Sequence, residues 1–155
     1  MIEVVRSGRV EASPERVWHV VSRADRVAEW LDFADAVEVT SGAGCGERRT
    51  QYGRWGERRS EVDVEVVEYR RPKVVAWRHV AERLDGRPAP RFAAGTEFRV
   101  ELEPDGAGTL VRLRSCQEPA SALKGLLLNA FGRRQVARGL EKSLARLTSV
   151  FAQPA

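Results

Sequence analysis

The clearest candidates for acid–base chemistry in this sequence are a histidine and a tyrosine. His79 follows Val75 and Trp77 at two-residue spacing, which places its imidazole on the same face of a strand as these two apolar side chains. An imidazole changes its charge near neutral pH, so His79 could act as a general base. Tyr52 is a second candidate for proton transfer. The alternative for His79 is a hydrogen-bonded side chain in the core.

Arg133 is a third candidate, because its position is unusual for a charged residue. At about 100° per residue, it falls on the same helical stripe as Leu126, Leu140 and Leu144. A buried guanidinium needs an anion as its partner. Arg133 could therefore orient a carboxylate or another oxyanion of a ligand. The alternative is a kink at Gly132 that turns Arg133 outward.

Other common catalytic arrangements are missing from the sequence. No Ser/His/Asp order is visible, and the histidines do not have metal-ligand spacing. Cys45 and Cys116 belong to no Cys-x-x-Cys pair and are expected to be reduced thiols. Gly42, Gly44 and Gly46 do not open a helix after a strand, so they indicate a turn rather than a dinucleotide fingerprint. We therefore expect neither a metal nor another cofactor.

The length and composition are those of one globular domain. A chain of 155 residues, 43% hydrophobic and 31% charged, suits a single domain over residues 1–155. Its net charge of +4 comes from arginines interleaved with glutamates, whereas a nucleic-acid binder has a concentrated basic stripe. The N-terminus lacks the pattern of a signal peptide, and no apolar stretch reaches the ~18 residues of a membrane span. These features predict a cytoplasmic protein that neither binds nucleic acid nor inserts stably into a membrane.

A long helix is predicted from Pro119 to Phe151. In its second half the apolar residues share one face, which must pack against the rest of the chain: Val136, Leu140, Leu144, Leu147 and Phe151. In its first half they cover nearly the whole circumference: Leu123, Leu126, Leu127, Leu128, Ala130 and Phe131. Such a segment is buried on several sides or contacts a partner. Three glycines recur along the helix, either for close packing or a bend, or to leave volume for a ligand: Gly125, Gly132 and Gly139.

The rest of the chain alternates apolar and polar residues, which is typical of half-buried strands. A first strand is predicted over residues 2–12, followed by a short helix that Ser13 caps and a second short helix near Asp25. Further strands are predicted at 36–40, 47–55, 59–69, 74–80, 95–103 and 109–116, with a loop at 81–94. Helices segregated from a meandering sheet indicate an α+β fold with an antiparallel sheet of about seven strands.

This order of elements resembles the helix-grip fold of the START-like, or SRPBCC, superfamily, in particular its polyketide cyclase/dehydrase-like branch. The resemblance rests on Glu11–Trp18 after the first strand, Trp30 in the second helix, Pro72–Arg78, and the terminal amphipathic helix. It implies a curved sheet wrapped around the long C-terminal helix, with a deep apolar cavity that the two leave unfilled. It also implies relatives that bind lipids, sterols, polyketides or plant hormones, or act as aromatase/cyclases.

A ligand pocket of this kind is mostly apolar, with a few polar groups that orient the ligand. We expect its lining to come from the long helix and from the sheet: Leu127, Leu128, Phe131 and Leu140 from the helix, and Trp77, His79, Phe98 and Val100 from the sheet. Trp30 and Phe92 are expected at its mouth. The third strand supplies either Tyr52 or Trp55, since a one-residue slip in register exchanges them. For each aromatic residue, plain filling of the core is the alternative.

These expectations favour a carrier or sensor that binds a small hydrophobic molecule and catalyses no reaction. The alternative is a polyketide cyclase or dehydratase acting on a poly-β-carbonyl substrate, with His79 and Tyr52 transferring protons and Arg133 stabilising an enolate. A third alternative is an interaction module, in which the apolar segment Leu123–Phe131 docks a partner or forms a symmetric homodimer.

Overall fold

The alternating segments of the chain form one antiparallel sheet. The computed structural model describes residues 1–89 and 93–152. Within them lie the strands β1 (Ile2–Val10), β2 (Ala36–Ser41), β3 (Arg48–Trp55), β4 (Arg58–Arg70), β5 (Val74–Leu84), β6 (Arg87–Pro88), β7 (Ala93–Asp105) and β8 (Gly108–Pro119). The strand order is β1-β8-β7-β5-β4-β3-β2, and the short β6 pairs with β5. This confirms the predicted α+β fold with its antiparallel sheet.

Two short helices follow β1, as the sequence predicts. The first, α1 (Pro14–Val21), begins where Ser13 Oγ accepts a hydrogen bond from the backbone N–H of Arg16 at 3.3 Å. The second is a 3₁₀ helix over Ala24–Glu29. Apolar side chains of both helices belong to the hydrophobic core.

The C-terminal helix has two halves with different surroundings. It consists of α2 (Ala122–Leu127), a π-helical turn (Leu128–Gly132) and α3 (Arg133–Ala152). The apolar stripe of α3 is buried, whereas α2 and the π turn bury none of their residues. Arg6 of β1 also forms an ion pair with Glu141 of α3 at 3.1 Å. The second half of the helix is therefore the part that the sheet holds.

The core lies between α3, the two short helices and one face of the sheet. Trp77 of β5 pairs with Phe98 of β7, and Val75 pairs with Val100; all four side chains are buried. The opposite face of these strands carries charges. This division follows directly from the two-residue alternation, because successive side chains of a strand point to opposite faces.

The hairpin after β5 is longer than the alternation predicts. The sequence predicts a loop at 81–94, but β5 continues to Leu84 and β7 begins at Ala93. The chain reverses at Asp85 and Gly86, whose φ angles are 51° and 80°, and this turn joins β5 to the short β6. A tight turn with two positive φ angles joins antiparallel strands directly, so pairing persists through a polar sequence.

Candidate ligand-binding site

The register of β3 decides which of its residues face the helix. Arg49 and Gln51 pair with the inward-facing valines of β4, and Trp55 lies on the same side of the strand. Tyr52 lies on the outer side, where its hydroxyl donates a hydrogen bond to Glu38 Oε2 at 3.2 Å. This bond raises the pKa of Tyr52. The structure thus places Trp55, rather than Tyr52, on the face expected to hold a ligand.

The centre of the interior is filled by the chain's own side chains. The rings of Trp77 and Phe98 are stacked with centroids 5.0 Å apart, and the ring of Trp30 lies 6.4 Å from Phe98. Trp30, Val100 and Leu140 each have 0% of their surface exposed. The sequence predicts a cavity here with Trp30 at its mouth. The structure differs because these three rings pack together and close the space.

Phe33 is the outermost ring of this cluster. It lies 6.5 Å from Phe98 and is 43% exposed, so it separates the core from solvent. The backbone of the preceding residue is fixed: Asp32 N–H donates to Ser143 Oγ at 2.9 Å, and that hydroxyl donates to the carbonyl of Gly139 at 2.7 Å. No pattern in the sequence singles out Phe33, although Gly139 in the middle of the helix indicates that another group approaches the helix there.

Arg49 is a buried cation on the inner face of the sheet. Its Nε donates to Glu47 Oε1 at 2.5 Å, and its Nη2 donates to the carbonyl of Ser22 at 2.8 Å, where α1 ends. The third nitrogen, Nη1, is buried with no hydrogen-bond partner among the described residues. The guanidinium lies 5.8 Å from the ring centroid of Trp77. Nη1 is thus a donor nitrogen without a partner, and it belongs to a guanidinium that lies beside the aromatic cluster.

Two further buried N–H donors on this side of the sheet also lack a hydrogen-bond partner. Gln51 Nε2 and Trp30 Nε1 are buried and have no acceptor within residues 1–89 and 93–152. Gln51 follows Arg49 by two residues on the same face of β3, and Trp30 adjoins Phe98. All three unpartnered atoms are N–H donors, whereas buried polar groups normally have partners. The inner face could therefore donate hydrogen bonds to oxygen atoms of a molecule that enters it.

His79 lies on the inner face, as predicted, and is held by a carboxylate. Its Nδ1 is 2.6 Å from Glu82 Oε1, and its side chain is 24% exposed. Beside it, β5 and β7 separate beyond the pair Arg78–Glu97 and leave a notch of about 20 Å³. A carboxylate on one ring nitrogen fixes the orientation of an imidazole and leaves the other nitrogen able to exchange a proton.

The structure does not bring Arg133 to this region. Arg133 is exposed, and so are Leu127 (38%) and Phe131 (73%); Leu128 is half-buried. The prediction for Arg133 extends the stripe of α3 backwards with a constant period. Arg133 is the first residue of α3, however, and the buried residues of α3 begin only at Ala137, so this end of the stripe is uncovered. The π turn takes up an additional residue and shifts the phase of α2 relative to α3, so Gly125, Leu128 and Gly132 face inward before it.

The helix glycines leave no open volume for a ligand. A Cβ added to Gly139 would lie 2.2 Å from the ring of Phe33, and one added to Gly125 would lie 2.9 Å from Pro119. At Gly132 the nearest atom, a methyl of Leu128, is 3.3 Å away. These glycines permit close packing, which is the first of the two explanations that the sequence offers.

The described residues add three findings about other kinds of site. They contain no group of three or more His, Cys, Asp or Glu side chains placed to hold a metal ion. None of their helices is long and apolar enough to cross a bilayer. Cys45 and Cys116 are free thiols, and burial raises the pKa of Cys116. Phe92, expected at the pocket mouth, lies outside the described residues.

Solved structures of proteins with low sequence identity share this fold over nearly the whole chain. A START superfamily protein from Mycobacterium smegmatis is 14% identical, with a TM-score of 0.76 and 97% of each chain covered. A Thermus thermophilus protein is 19% identical, with a TM-score of 0.71, covering 96% of this chain and 95% of its own. A Mesorhizobium loti protein is 16% identical, with a TM-score of 0.73 and 99% of each chain covered.

The sequence itself identifies the family. No functionally curated protein matches the chain significantly. A family model described as polyketide cyclase/dehydrase and lipid transport, however, matches residues 1–152. The strand order, the two short helices and the gripped C-terminal helix agree with this match. The chain therefore belongs to the polyketide cyclase/dehydrase and lipid-transport family of START-like, helix-grip proteins.

Proposed function

We propose that this protein binds a small, largely apolar molecule that carries at least one oxygen acceptor, at the inner face of the sheet beside Arg49, Gln51 and Trp30. Binding rather than catalysis is the proposed activity, and the cytoplasm is the proposed location. The observation that carries the proposal is the set of three buried N–H donors without acceptors among the described residues. The family match supports it, because lipid transport is part of the family's description.

The donors make an acceptor-bearing ligand favourable. A buried donor without a partner costs about 1–3 kcal/mol of desolvation that no hydrogen bond offsets. An oxygen of a ligand would restore such a bond at Arg49 Nη1 or Gln51 Nε2. The remainder of the molecule would lie against the aromatic cluster of Trp77, Phe98 and Trp30, where burial contributes roughly 25 cal/mol per Å² before ordering costs.

Access requires movement of Phe33. Its ring lies beside Phe98 and meets the helix at Gly139, so an outward swing of this ring would uncover the aromatic cluster for a ligand. The backbone of the loop is anchored to Ser143, whereas the ring is 43% exposed. A side-chain rotation is therefore the least costly way to open the site. Phe33→Ala should increase the uptake rate of an apolar fluorescent probe.

The binding proposal is tested by removing one donor without changing the shape of the site. Gln51→Leu keeps the size of the side chain and removes its N–H groups. A fluorescent polyene fatty acid should bind this variant about tenfold more weakly than the wild type, which is the loss of one good hydrogen bond. Tyr52→Phe is the matched control, since Tyr52 is the next residue on the same strand but lies on the outer face.

Two results would contradict the proposal. One is equal affinity of wild type and Gln51→Leu for the fatty acid. The other is a comparable loss in Tyr52→Phe, which would place binding elsewhere. Native mass spectrometry of the purified protein offers an independent check, since a co-purified molecule should contain a carbonyl, carboxyl or hydroxyl oxygen.

The contact between His79 and Glu82 favours cyclase or dehydratase chemistry as a second candidate function. A carboxylate-oriented imidazole could remove a proton α to a carbonyl of a folded poly-β-carbonyl chain. The buried donors of Arg49 and Gln51 would then stabilise the enolate, a role for which Arg133 lies too far outside. Under this proposal, His79→Gln would abolish turnover and retain substrate binding. Unchanged turnover in His79→Gln would eliminate it.

A further inference from the structure

The first half of the C-terminal helix exposes an unusual amount of apolar surface. Leu123 is 68% exposed, Leu126 65% and Phe131 73%, and Leu127 is 38% exposed. Elsewhere in the described chain, the large aliphatic and aromatic side chains are mostly buried in the core. The residues from Ala122 to Arg138 are called the apolar–basic segment below. Its exposed leucines, Leu123, Leu126 and Leu127, lie outside the hydrophobic core.

These apolar side chains point away from the body of the protein. The half-buried residues Gly125, Leu128 and Gly132 mark the side of the helix that faces inward. At about 100° per residue, Leu123, Leu126 and Leu127 fall within about 100° of one another on the opposite side. The exposed leucines therefore form one outward face and do not belong to the inner site.

The charges of the segment all have the same sign. No acidic residue lies between Glu118 and Glu141, while this interval contains four cations: Lys124, Arg133, Arg134 and Arg138. None of the three arginines forms an ion pair with a described residue. Elsewhere, many exposed arginines pair with nearby carboxylates, as Arg23 does with Asp25 at 2.7 Å. The segment therefore carries a concentrated positive charge, whereas in the rest of the chain positive and negative residues balance.

We propose that the apolar–basic segment docks the protein reversibly onto a bilayer that contains anionic lipids. An outward leucine face with cations beside it matches a membrane interface, where apolar side chains enter the acyl boundary and arginines contact negatively charged headgroups. Charge complementarity selects this occupant, because a neutral surface would leave Arg133, Arg134 and Arg138 without anionic partners. The inference goes beyond ligand binding and stands independently of it.

Vesicle co-sedimentation tests the proposal with the full chain. Wild type should sediment with vesicles of phosphatidylcholine mixed with phosphatidylglycerol. The sedimented fraction should fall at high salt, and it should be much smaller with vesicles of phosphatidylcholine alone. Arg134→Gln/Arg138→Gln should weaken binding to the anionic vesicles about tenfold. Leu123→Gln/Leu126→Gln should abolish it. Both pairs are exposed, so circular dichroism and thermal unfolding should be unchanged.

The control is Arg54→Gln, since Arg54 is also exposed and unpaired among the described residues but lies in β3. This variant should bind vesicles like the wild type, and so should Gln51→Leu, which separates docking from ligand binding. Three results would overturn the proposal: no sedimentation with either vesicle, equal sedimentation with both, or an equal loss in Arg54→Gln. Light scattering that shows a dimer broken by Leu123→Gln/Leu126→Gln would assign the face to a second copy of the chain instead.

Discussion

The ring of Phe33 occupies the place where any side chain at position 139 would have to lie. A Cβ on Gly139 would be 2.2 Å from Cζ of this ring, well inside van der Waals contact. The two residues are far apart in the sequence, one in a loop and the other in the middle of α3. Because Gly139 has no side chain, the ring of Phe33 can pack against the helix and close over the aromatic cluster.

This contact predicts that the effect of Gly139→Ala depends on Phe33. In the wild type, the added methyl forces the ring away and should lower the free energy of unfolding by about 1–3 kcal/mol. In a Phe33→Ala background the clash is absent, and alanine should instead stabilise the helix by about 0.5–1 kcal/mol. Urea unfolding of the four proteins measures the coupling. Additive effects would show that the two residues do not meet.

The buried pair of Arg49 and Glu47 should be important for stability. Removing Arg49 leaves the Glu47 carboxylate, 15% exposed, without its partner and also frees the carbonyl of Ser22. Breaking a buried pair costs about 3–5 kcal/mol, so Arg49→Met should lower the free energy of unfolding by about 3 kcal/mol.

Arg48→Met is the matched control for this change. Arg48 is the adjacent residue, and its ion pair with Glu65 lies on the outer face with the arginine 48% exposed. Exposed pairs contribute about 0–1 kcal/mol. Equal losses in the two variants would mean that Arg49 is not held as the structure shows.

Asp63 should make the fold sensitive to acid. Hydrogen bonds from Arg83 at 2.7 Å and 3.0 Å, assisted by one from Thr50, lower the pKa of Asp63 below its usual 3.8. A lowered pKa in the folded state means that the ionised carboxylate stabilises the fold above the unfolded value. This stabilisation is lost as the pH falls through the folded value.

Asp63→Asn should therefore be less stable than the wild type at neutral pH, and the difference should shrink below about pH 4. Thermal unfolding followed from neutral to acidic pH measures it. In an Arg83→Met background the same substitution should change the pH profile little. A difference between wild type and Asp63→Asn that stays constant down to the lowest pH would refute the assignment.

Much of this architecture is predictable because it is local. Ser13 and Pro14 begin α1 through short-range rules of capping, and Val62, Val64 and Val66 set the inner face of β4 by strict alternation. His79 follows from the same alternation in β5. In these cases, the pattern of neighbouring residues is sufficient.

What the sequence does not reveal depends on contacts between distant residues or on changes of helical period. The partner of Gly139 is a phenylalanine from a loop, which no pattern of spacing identifies. The π turn breaks the assumption of a constant 3.6-residue period, so Leu126 does not continue the buried stripe of α3. Arg133 lies on that stripe but is exposed, because the buried part of α3 begins only at Ala137. Arg49 and Gln51 show period two, but their polar character hides the fact that they face the core.

The π turn also divides the helix into two parts that should respond differently to random substitution. From Val136 onward, changes at inward positions remove packing in the core and should reduce the yield of folded protein. Before the π turn, most positions are exposed, so polar substitutions there meet little except solvent and should leave expression intact. A saturation scan scored for abundance should therefore show a sharp boundary within one continuous helix, with intolerance on the C-terminal side and broad permissiveness on the other.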